Sequence, residues 1–359
     1  MSLPTRADLR AWNAALTLDP LDPGDPQEQR YVPLHEAGRA AVDEMMATIE
    51  LAFDTTTQLL SGPSGAGKTT ELRRLRSELD RAGYHAVLFD VTNFVNESSP
   101  IDVTEFLIAL AVGARDALHA GEEATGPGFG ERLRSLLGRL NVKLEVAGVS
   151  AALSNQGAEL GAFGATLGVD LQRELKSSEP FVAQLRAKLS YHVGRVYEEV
   201  AAFLSELLLA QHESGADAVL IVDGLEKLRG TTENDVTVQE SIEALFVNHA
   251  SKLKFASHHM IYTVPTYLQF TSPGALPYDS RVLPVPVPQV RPRAGHPAGS
   301  VTGTIAELRE VVSRRIPIDR IFPDAEQLDL LILASGGHLR DLFTLLRQLV
   351  NLIHRRSLS

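Results

Sequence analysis

The most constraining feature of the chain is the stretch TQLLSGPSGAGKTT at residues 57–70. Within it, eight consecutive residues match the phosphate-binding pattern G-x-x-x-x-G-K-[ST] at every fixed position. They are Gly62, Pro63, Ser64, Gly65, Ala66, Gly67, Lys68 and Thr69, named the P-loop below. Because glycine permits a tight turn, successive backbone N–H groups of such a loop can point inward at a polyphosphate.

The residues on either side of the P-loop support this interpretation. Leu59 and Leu60 end a short apolar run typical of a buried strand, and an amphipathic helix is expected to continue from Thr70. Bound phosphates would then lie at a helix N-terminus, where the helix dipole favours anions. We expect Lys68 to reach the β- and γ-phosphates, Thr69 to coordinate Mg²⁺, and Thr70 to complete the nucleotide-binding set. The sequence therefore predicts nucleoside triphosphate binding.

A second informative stretch runs from Ala218 to Lys227 and reads AVLIVDGLEK. Consecutive apolar residues ending in an acid are typical of a fully buried parallel strand with a carboxylate at its C-terminal end. In a protein with a P-loop, this is where a second acid that organises Mg²⁺ belongs. We therefore assign Asp223 as the Walker B aspartate and as a metal-site residue together with Thr69.

Further patterns predict a doubly wound α/β fold with a parallel sheet. Strands are expected at Tyr84–Asp90 and His259–Val264, with a weaker edge strand at Val282–Val285, where proline is tolerated. A helix is expected at Ile101–Leu118. Ligands in such sheets bind at the C-terminal ends of the strands, so Asp90, Asp223 and Thr263 should lie near one edge.

The interval at residues 120–213 is longer than one crossover helix requires, and it is predicted to be an insertion. Alternating residues at Asn141–Val146 and Phe163–Leu171 indicate a β-hairpin, and apolar spacing from Pro180 to Gln211 indicates one long amphipathic helix. The helix could pack as a structural insertion or contact a partner. We favour structural packing, although periodicity alone does not distinguish a core face from an interface.

The C-terminal residues 301–359 are predicted to form a helical segment, named the lid below. Helical patterns at Glu307–Arg315 and Glu326–Ala334 are followed by Gly336 and Gly337, which would end one helix and allow a turn into the next. Arg340 lies one turn into that helix. It could reach the γ-phosphate or be an ordinary surface arginine, and we favour contact with the nucleotide.

Composition and charge restrict the partners and the compartment. The chain of 359 residues has a net charge of −11, which does not support a broadly basic nucleic-acid-binding surface. It has no cysteine, and hence no disulfide framework or thiol nucleophile. The N-terminus lacks a secretory signal pattern, and no apolar run is long enough to cross a membrane. We expect a cytoplasmic protein.

Taken together, the P-loop helix, the strand ending VDGLEKL, the strand IYTVP and the C-terminal SGGHLRDLF resemble the AAA+ and STAND types of P-loop ATPase. The chain is similar in particular to origin-recognition-like and bacterial single-module ATPases over about Tyr31 to Ile353. The resemblance implies a three-layer α/β/α P-loop NTPase, with a strand between the P-loop and Walker B strands and a C-terminal helical lid. The implied domains are an extension at 1–30, an ATPase core at 31–119 and 214–300, the insertion at 120–213, and the lid at 301–359.

The resemblance also implies roles for individual residues. Thr263 matches the sensor 1 position, which would hold the attacking water or the γ-phosphate, and Arg340 matches sensor 2. Tyr31 and Val32 resemble the segment that lines an adenine pocket. Because no guanine-reading motif stands at the expected place, the expected nucleotide is ATP with Mg²⁺.

One departure from the AAA+ pattern bears on catalysis. Many of these proteins have Glu directly after the Walker B Asp, whereas this chain has Gly224. Glu226 or Glu97 could act as the base that orients water, and we favour Glu226. Candidates for an arginine finger are Arg291, Arg293, Arg314 and Arg315, and the sequence does not choose among them.

The expected function is that of a Mg²⁺-dependent ATP-binding switch ATPase with slow or partner-dependent hydrolysis. Nucleotide state would be coupled to lid movement, to ATP-dependent self-association or to a separately encoded protein partner. The alternatives are a DNA-associated initiator or loader ATPase and, less favoured, a P-loop kinase.

Overall fold

Five strands among the described residues form one parallel sheet in the order β2-β3-β4-β1-β5. The computed structural model describes residues 4–34, 36–119, 129–142, 171–210, 217–271, 276–279, 281–292, 294 and 301–356. The strands are β1 (Thr57–Ser61), β2 (His85–Asp90), β3 (Ala218–Asp223), β4 (His259–Val264) and β5 (Leu283–Pro284). The predicted parallel α/β architecture is confirmed, with β4 between β1 and β3 and with β5 at the sheet edge.

Thirteen helices of the described residues are numbered in chain order, and several of them were not predicted from the sequence. They are α1 (Arg6–Ala15), α2 (Glu36–Glu50), α3 (Lys68–Arg81), α4 (Val103–Leu118), α5 (Phe129–Arg139), α6 (Glu179–Leu189), α7 (Val193–Leu209), α8 (Asp235–Val247), α9 (Leu268–Thr271), α10 (Thr302–Ser313), α11 (Ile318–Ile321), α12 (Ala325–Ala334) and α13 (Leu339–Arg356). Residues 171–177 are also helical. Across the described ranges, no helix is long and apolar enough to cross a membrane.

The residues group into two units that the chain enters more than once. The first unit comprises Met1–Met46, Ser61–Glu78 and Leu283–Ser359, and the second comprises Ala47–Leu60 and Leu79–Val282. This grouping puts the P-loop and the lid in one unit. The domain boundaries predicted from the sequence remain predictions.

The core of the second unit is built on β2, β3 and β4. Every residue of β3 and β4 is buried, as expected for strands that are covered on both faces. Helix α4 is buried from Val103 to Ala114 and packs against both β2 and α7. Its N-terminus is fixed by a capping box, in which Asp102 accepts from the Thr104 N–H at 2.8 Å. The predicted helix at Ile101–Leu118 is therefore confirmed.

The long helix predicted at Pro180–Gln211 is instead two helices. A 3₁₀ turn at Ser190–His192 separates α6 from α7, and His192 has non-helical dihedral angles. Apolar spacing of three or four residues fits a continuous helix and a broken one equally well, so periodicity did not reveal the turn. The apolar side chains of both helices belong to the core of the second unit, which favours the interpretation as a packed structural insertion: Phe181, Leu185, Leu189, Val196, Val200 and Phe203.

The predicted β-hairpin falls mainly outside the described residues. Asn141 and Val142 follow α5, and the rest of Asn141–Val146 is not described. Of Phe163–Leu171, only Leu171 is described, and it is helical rather than extended. Gln211, at the end of the predicted long helix, also lies outside the described ranges.

The core of the first unit joins helix α1 to the lid. Leu9, Trp12 and Leu16 are buried together with side chains of α10, α12 and α13. The Arg320 guanidinium lies over the Trp12 ring at 5.4 Å, and its Nη2 atom is 3.2 Å from Asp8 Oδ2. A hydrogen bond from the Thr5 backbone, with further help from the Thr5 side chain and Arg320, lowers the pKa of Asp8 to about 2. The segment predicted as an extension thus contributes apolar residues to the lid core.

Buried His258 makes stability dependent on pH. Its ring is 1% exposed and stacks on Phe255 at 4.9 Å, and burial, assisted by neighbouring His259, lowers the pKa of His258 to about 4. Between pH 4 and 6.5, the unfolded chain binds a proton at this position that the folded chain does not. We therefore expect the free energy of unfolding to fall by about 3 kcal/mol as the pH drops through this window.

Urea unfolding of the wild-type chain and of His258→Phe at several pH values measures this effect. The variant should show a shallower pH dependence, with the remaining slope coming from other groups, including His259, whose pKa burial also lowers. Equal slopes for the two proteins between pH 4 and 6.5 would contradict this explanation.

Candidate functional site

The P-loop turns from the end of β1 into α3 through two left-handed glycines. Gly65 has φ +86° and Gly67 has φ +96°, a conformation that only glycine adopts at little cost. Glu71 N–H donates to the Gly67 carbonyl at 3.0 Å, so the residues before Glu71 form the N-terminus of α3. The helix begins at Lys68 and continues through Thr70, as predicted. The loop therefore presents backbone N–H groups at the positive end of a helix dipole.

The Lys68 side chain folds over the P-loop itself. Its Nζ atom donates to the carbonyls of Gly62 at 2.9 Å and Pro63 at 3.1 Å, and the residue is only 4% exposed. A Cβ atom on Gly62 would lie 2.5 Å from the Val285 carbonyl oxygen, so this position accepts no larger residue without movement of the loop. The ammonium group is thus held at the loop, where a polyphosphate would need a positive charge.

The lid contacts the P-loop through two side chains. The Arg340 Nη1 atom donates to Ser64 Oγ at 2.9 Å, and the His338 Nε2 atom lies 2.6 Å from the Ser64 carbonyl oxygen. A Cβ atom on Gly65 would lie 2.9 Å from both residues, so the lid approaches the loop closely. The predicted contact of Arg340 with the nucleotide remains a prediction, and His338 was not among the predicted site residues.

The segment predicted to line an adenine pocket is tied to α3. Tyr31 donates its hydroxyl hydrogen to Glu71 Oε1 at 3.0 Å, and the same carboxylate pairs with Arg74 at 3.0 Å. Val32 is partly buried against the core of the first unit. Thr70, counted in the nucleotide-binding set, accepts a hydrogen bond from the Leu21 N–H at 3.2 Å.

Two lid arginines hold the same segment through its backbone. Arg314 donates to the Tyr31 carbonyl at 2.5 Å, and Arg315 donates to the Arg30 carbonyl at 3.1 Å while lying over the Phe343 ring. Burial and the adjacent Arg30 lower the pKa of Arg315 to about 10. These contacts give Arg314 and Arg315 a structural role within this unit. Of the other finger candidates, Arg291 donates to the Leu333 carbonyl at 3.4 Å and Arg293 lies outside the described residues.

In the second unit, the acids at the strand ends lie side by side. Asp90 and Asp223 are partners in the register of β2 and β3, and Asp223 is 1% exposed. The Gly224 N–H donates to both Asp223 Oδ1 at 2.9 Å and Thr263 Oγ1 at 2.8 Å. Asp90, Asp223 and Thr263 therefore lie together at the C-terminal edge of these strands, as the sequence predicts.

Both the backbone conformation and the surroundings of position 224 require glycine. Its φ is +100°, and a Cβ atom there would lie 2.2 Å from Asp90 Oδ1. The other oxygen of Asp90 pairs with Lys227 Nζ at 2.5 Å. Burial opposes the charge on Lys227, but this hydrogen bond and the nearby acids outweigh burial and raise the pKa of Lys227. The Asp90–Lys227 pair thus lies where a side chain at position 224 would begin.

The two candidate bases lie on segments that are joined by one backbone hydrogen bond. Glu226 is in the 3₁₀ turn Leu225–Lys227 and is partly buried. Glu97 is exposed, and its backbone carbonyl accepts from the Arg229 N–H at 2.9 Å. The structure leaves both candidates open, and the preference for Glu226 remains a prediction.

Sequence reasoning missed His338, Lys227 and the roles of Arg314 and Arg315. Each makes its contact with residues distant in the sequence, so no local pattern identifies the partner. The sequence signal that could have identified His338 as a P-loop contact is its position directly after two glycines and two residues before Arg340. No family model matches this sequence, and no curated protein matches it either.

Proposed function

We propose that this chain is a Mg²⁺-dependent ATP-binding switch ATPase with the three-layer fold of P-loop NTPases. The observation that carries the proposal is the loop between β1 and α3, with Gly65 and Gly67 at positive φ and Lys68 folded over its carbonyls. Such a loop offers several N–H donors and a cation to one group of phosphate oxygens. A triphosphate carries the negative charge and the acceptor oxygens that such donors would bind.

Different residues of the first unit bind different parts of ATP. The P-loop N–H groups and Lys68 bind the phosphates, and Arg340 adds a positive charge from the lid. The segment Tyr31–Val32 lies against the base, held by Glu71 and Arg314. When bound, Mg²⁺ supplies charge neutralisation to the phosphate oxygens. Its assignment to Thr69 and Asp223 remains a sequence prediction.

The direct lid contacts support a switch. Because Arg340 and His338 both bond to Ser64, a change in the P-loop on nucleotide binding would alter the contacts that hold the lid. The position of the lid would then report the nucleotide state to a partner protein or to a second copy of the chain.

Equilibrium titration of the purified chain with ATP, ADP and GTP in the presence of Mg²⁺ tests the proposal. ATP should bind saturably and more tightly than GTP. Analysis of the products then separates an ATPase, which releases free phosphate, from a kinase, which forms a phosphorylated acceptor. A chain that binds none of these nucleotides would contradict the proposal.

Substitution of Glu226 tests its predicted role as the base. Glu226→Gln should bind ATP as the wild-type chain does but hydrolyse it at least about tenfold more slowly, because general-base assistance is lost while charge on the phosphates is still compensated. Single-turnover measurements of bound ATP report this directly. Glu97→Gln is the matched control and should hydrolyse normally. If Glu97→Gln is the slow variant instead, the base is Glu97.

A further inference from the structure

The ring of His338 lies between the P-loop and Asp341. The Nε2 atom lies 2.6 Å from the Ser64 carbonyl oxygen, and the Nδ1 atom lies 3.3 Å from Asp341 Oδ2. A carbonyl oxygen can only accept a hydrogen bond, so Nε2 carries the hydrogen and donates it. The Asp341 carboxylate lies near the opposite edge of the ring, where Nδ1 has no hydrogen-bond partner among the described residues.

The geometry of the peptide bond extends this contact into the P-loop. In a trans peptide unit, the C=O and N–H groups point in opposite directions, and the described residues contain no cis peptide bond. The Ser64 carbonyl points at His338, so the N–H of Gly65, in the same peptide unit, points away from the lid. In a phosphate-binding loop, the N–H groups must converge on the ligand.

The packing around Gly65 restricts this peptide further. Gly65 has φ +86°, and the Cε1 atom of His338 and the Cβ atom of Arg340 both lie 2.9 Å from the site of a Cβ atom. Arg340 bonds to the Ser64 hydroxyl, whereas His338 bonds to the backbone. Of these two lid contacts, only that of His338 fixes the orientation of a P-loop amide.

We propose that His338 is a positioning residue for the phosphate-binding loop: it holds the Ser64–Gly65 peptide with the Gly65 N–H directed at the phosphates. This inference rests on the proposed function and adds a residue to it. It makes the lid a determinant of nucleotide affinity through the backbone, independently of the charge of Arg340.

The test compares His338→Ala with His338→Gln, since the glutamine amide keeps an N–H donor. Calorimetric titration should show that His338→Ala binds ATP about five- to tenfold more weakly, the effect of one lost hydrogen bond to a positioned peptide. His338→Gln should recover most of that affinity. In the nucleotide-free chain, the Gly65 amide signal in a ¹H–¹⁵N spectrum should move in the alanine variant and lie nearer the wild-type position in the glutamine variant.

The outcomes separate this inference from the proposed function. Failure of the wild-type chain to bind ATP would overturn the proposed function and the inference with it. Wild-type binding combined with equal affinity of His338→Ala would overturn only the inference. Equal weakening of the alanine and glutamine variants, with lowered thermal midpoints in both, would show a merely structural role and would also overturn it.

Discussion

The Lys68→Ala variant is expected to bind ATP about ten- to a hundredfold more weakly than the wild-type chain. A hydrogen bond to a charged group contributes about 1.5–3 kcal/mol, and each 1.4 kcal/mol corresponds to about a factor of ten in affinity. Lys68 is held at the P-loop by the carbonyls of Gly62 and Pro63, so its ammonium group needs little reorganisation to meet a phosphate. Fluorescence or calorimetric titration with MgATP measures the change.

The control for Lys68→Ala is a variant that removes a lysine charge outside the P-loop. Lys176 is exposed and helical, so Lys176→Ala should bind ATP as the wild-type chain does. The thermal midpoint of nucleotide-free Lys68→Ala should also be measured, because Lys68 bonds to two loop carbonyls. Unchanged ATP affinity in Lys68→Ala would mean that the P-loop does not bind the phosphates.

The Gly224→Ala variant is expected to lower the free energy of unfolding by about 2–5 kcal/mol. Left-handed backbone costs a residue with a Cβ atom about 1–2 kcal/mol, and overpacking of a tight site typically costs about 1–3 kcal/mol more. Both apply here, because Gly224 has φ +100° and its Cβ atom would lie 2.2 Å from Asp90 Oδ1. Urea unfolding measures the difference.

Gly83 offers a matched control for Gly224. Its φ is +95°, but no atom lies within 4 Å of the site of a Cβ atom, so Gly83→Ala should show the conformational cost alone. A double-mutant cycle with Asp90→Ala should give less than additive destabilisation, because removal of the Asp90 carboxylate relieves the overlap. Equal destabilisation by Gly224→Ala and Gly83→Ala would contradict the close approach of Asp90.

The features that the sequence predicted well are those with local signals. A short apolar run such as Ala218–Asp223 is typical of a strand that is buried on both faces, and the structure has such a strand there. The glycine pattern of the P-loop predicted a turn into a helix, and Gly65 and Gly67 adopt the left-handed conformation that such a turn needs. Pro284 indicated an edge strand because proline cannot donate to a ladder, and β5 is at the edge.

The features that it missed depend on tertiary contacts. Nothing local indicates that Trp12 packs with the lid, that Arg314 holds the Tyr31 carbonyl, or that His338 bonds to Ser64. The turn at Ser190–His192 was missed for a different reason, since the apolar spacing runs through it unchanged. The identity of the base also needs more than a pattern, because Glu226 and Glu97 lie on neighbouring loops.

Phosphate release from MgATP by the wild-type chain and by Lys68→Ala tests the central claim most directly. The proposed function predicts slow, saturable, Mg²⁺-dependent release by the wild-type chain and loss of release in the variant. Specific activity that rises with protein concentration would further indicate that subunits complete each other's sites. Equal release by the two proteins, or no release by the wild-type chain at any concentration, would contradict the assignment as an ATPase.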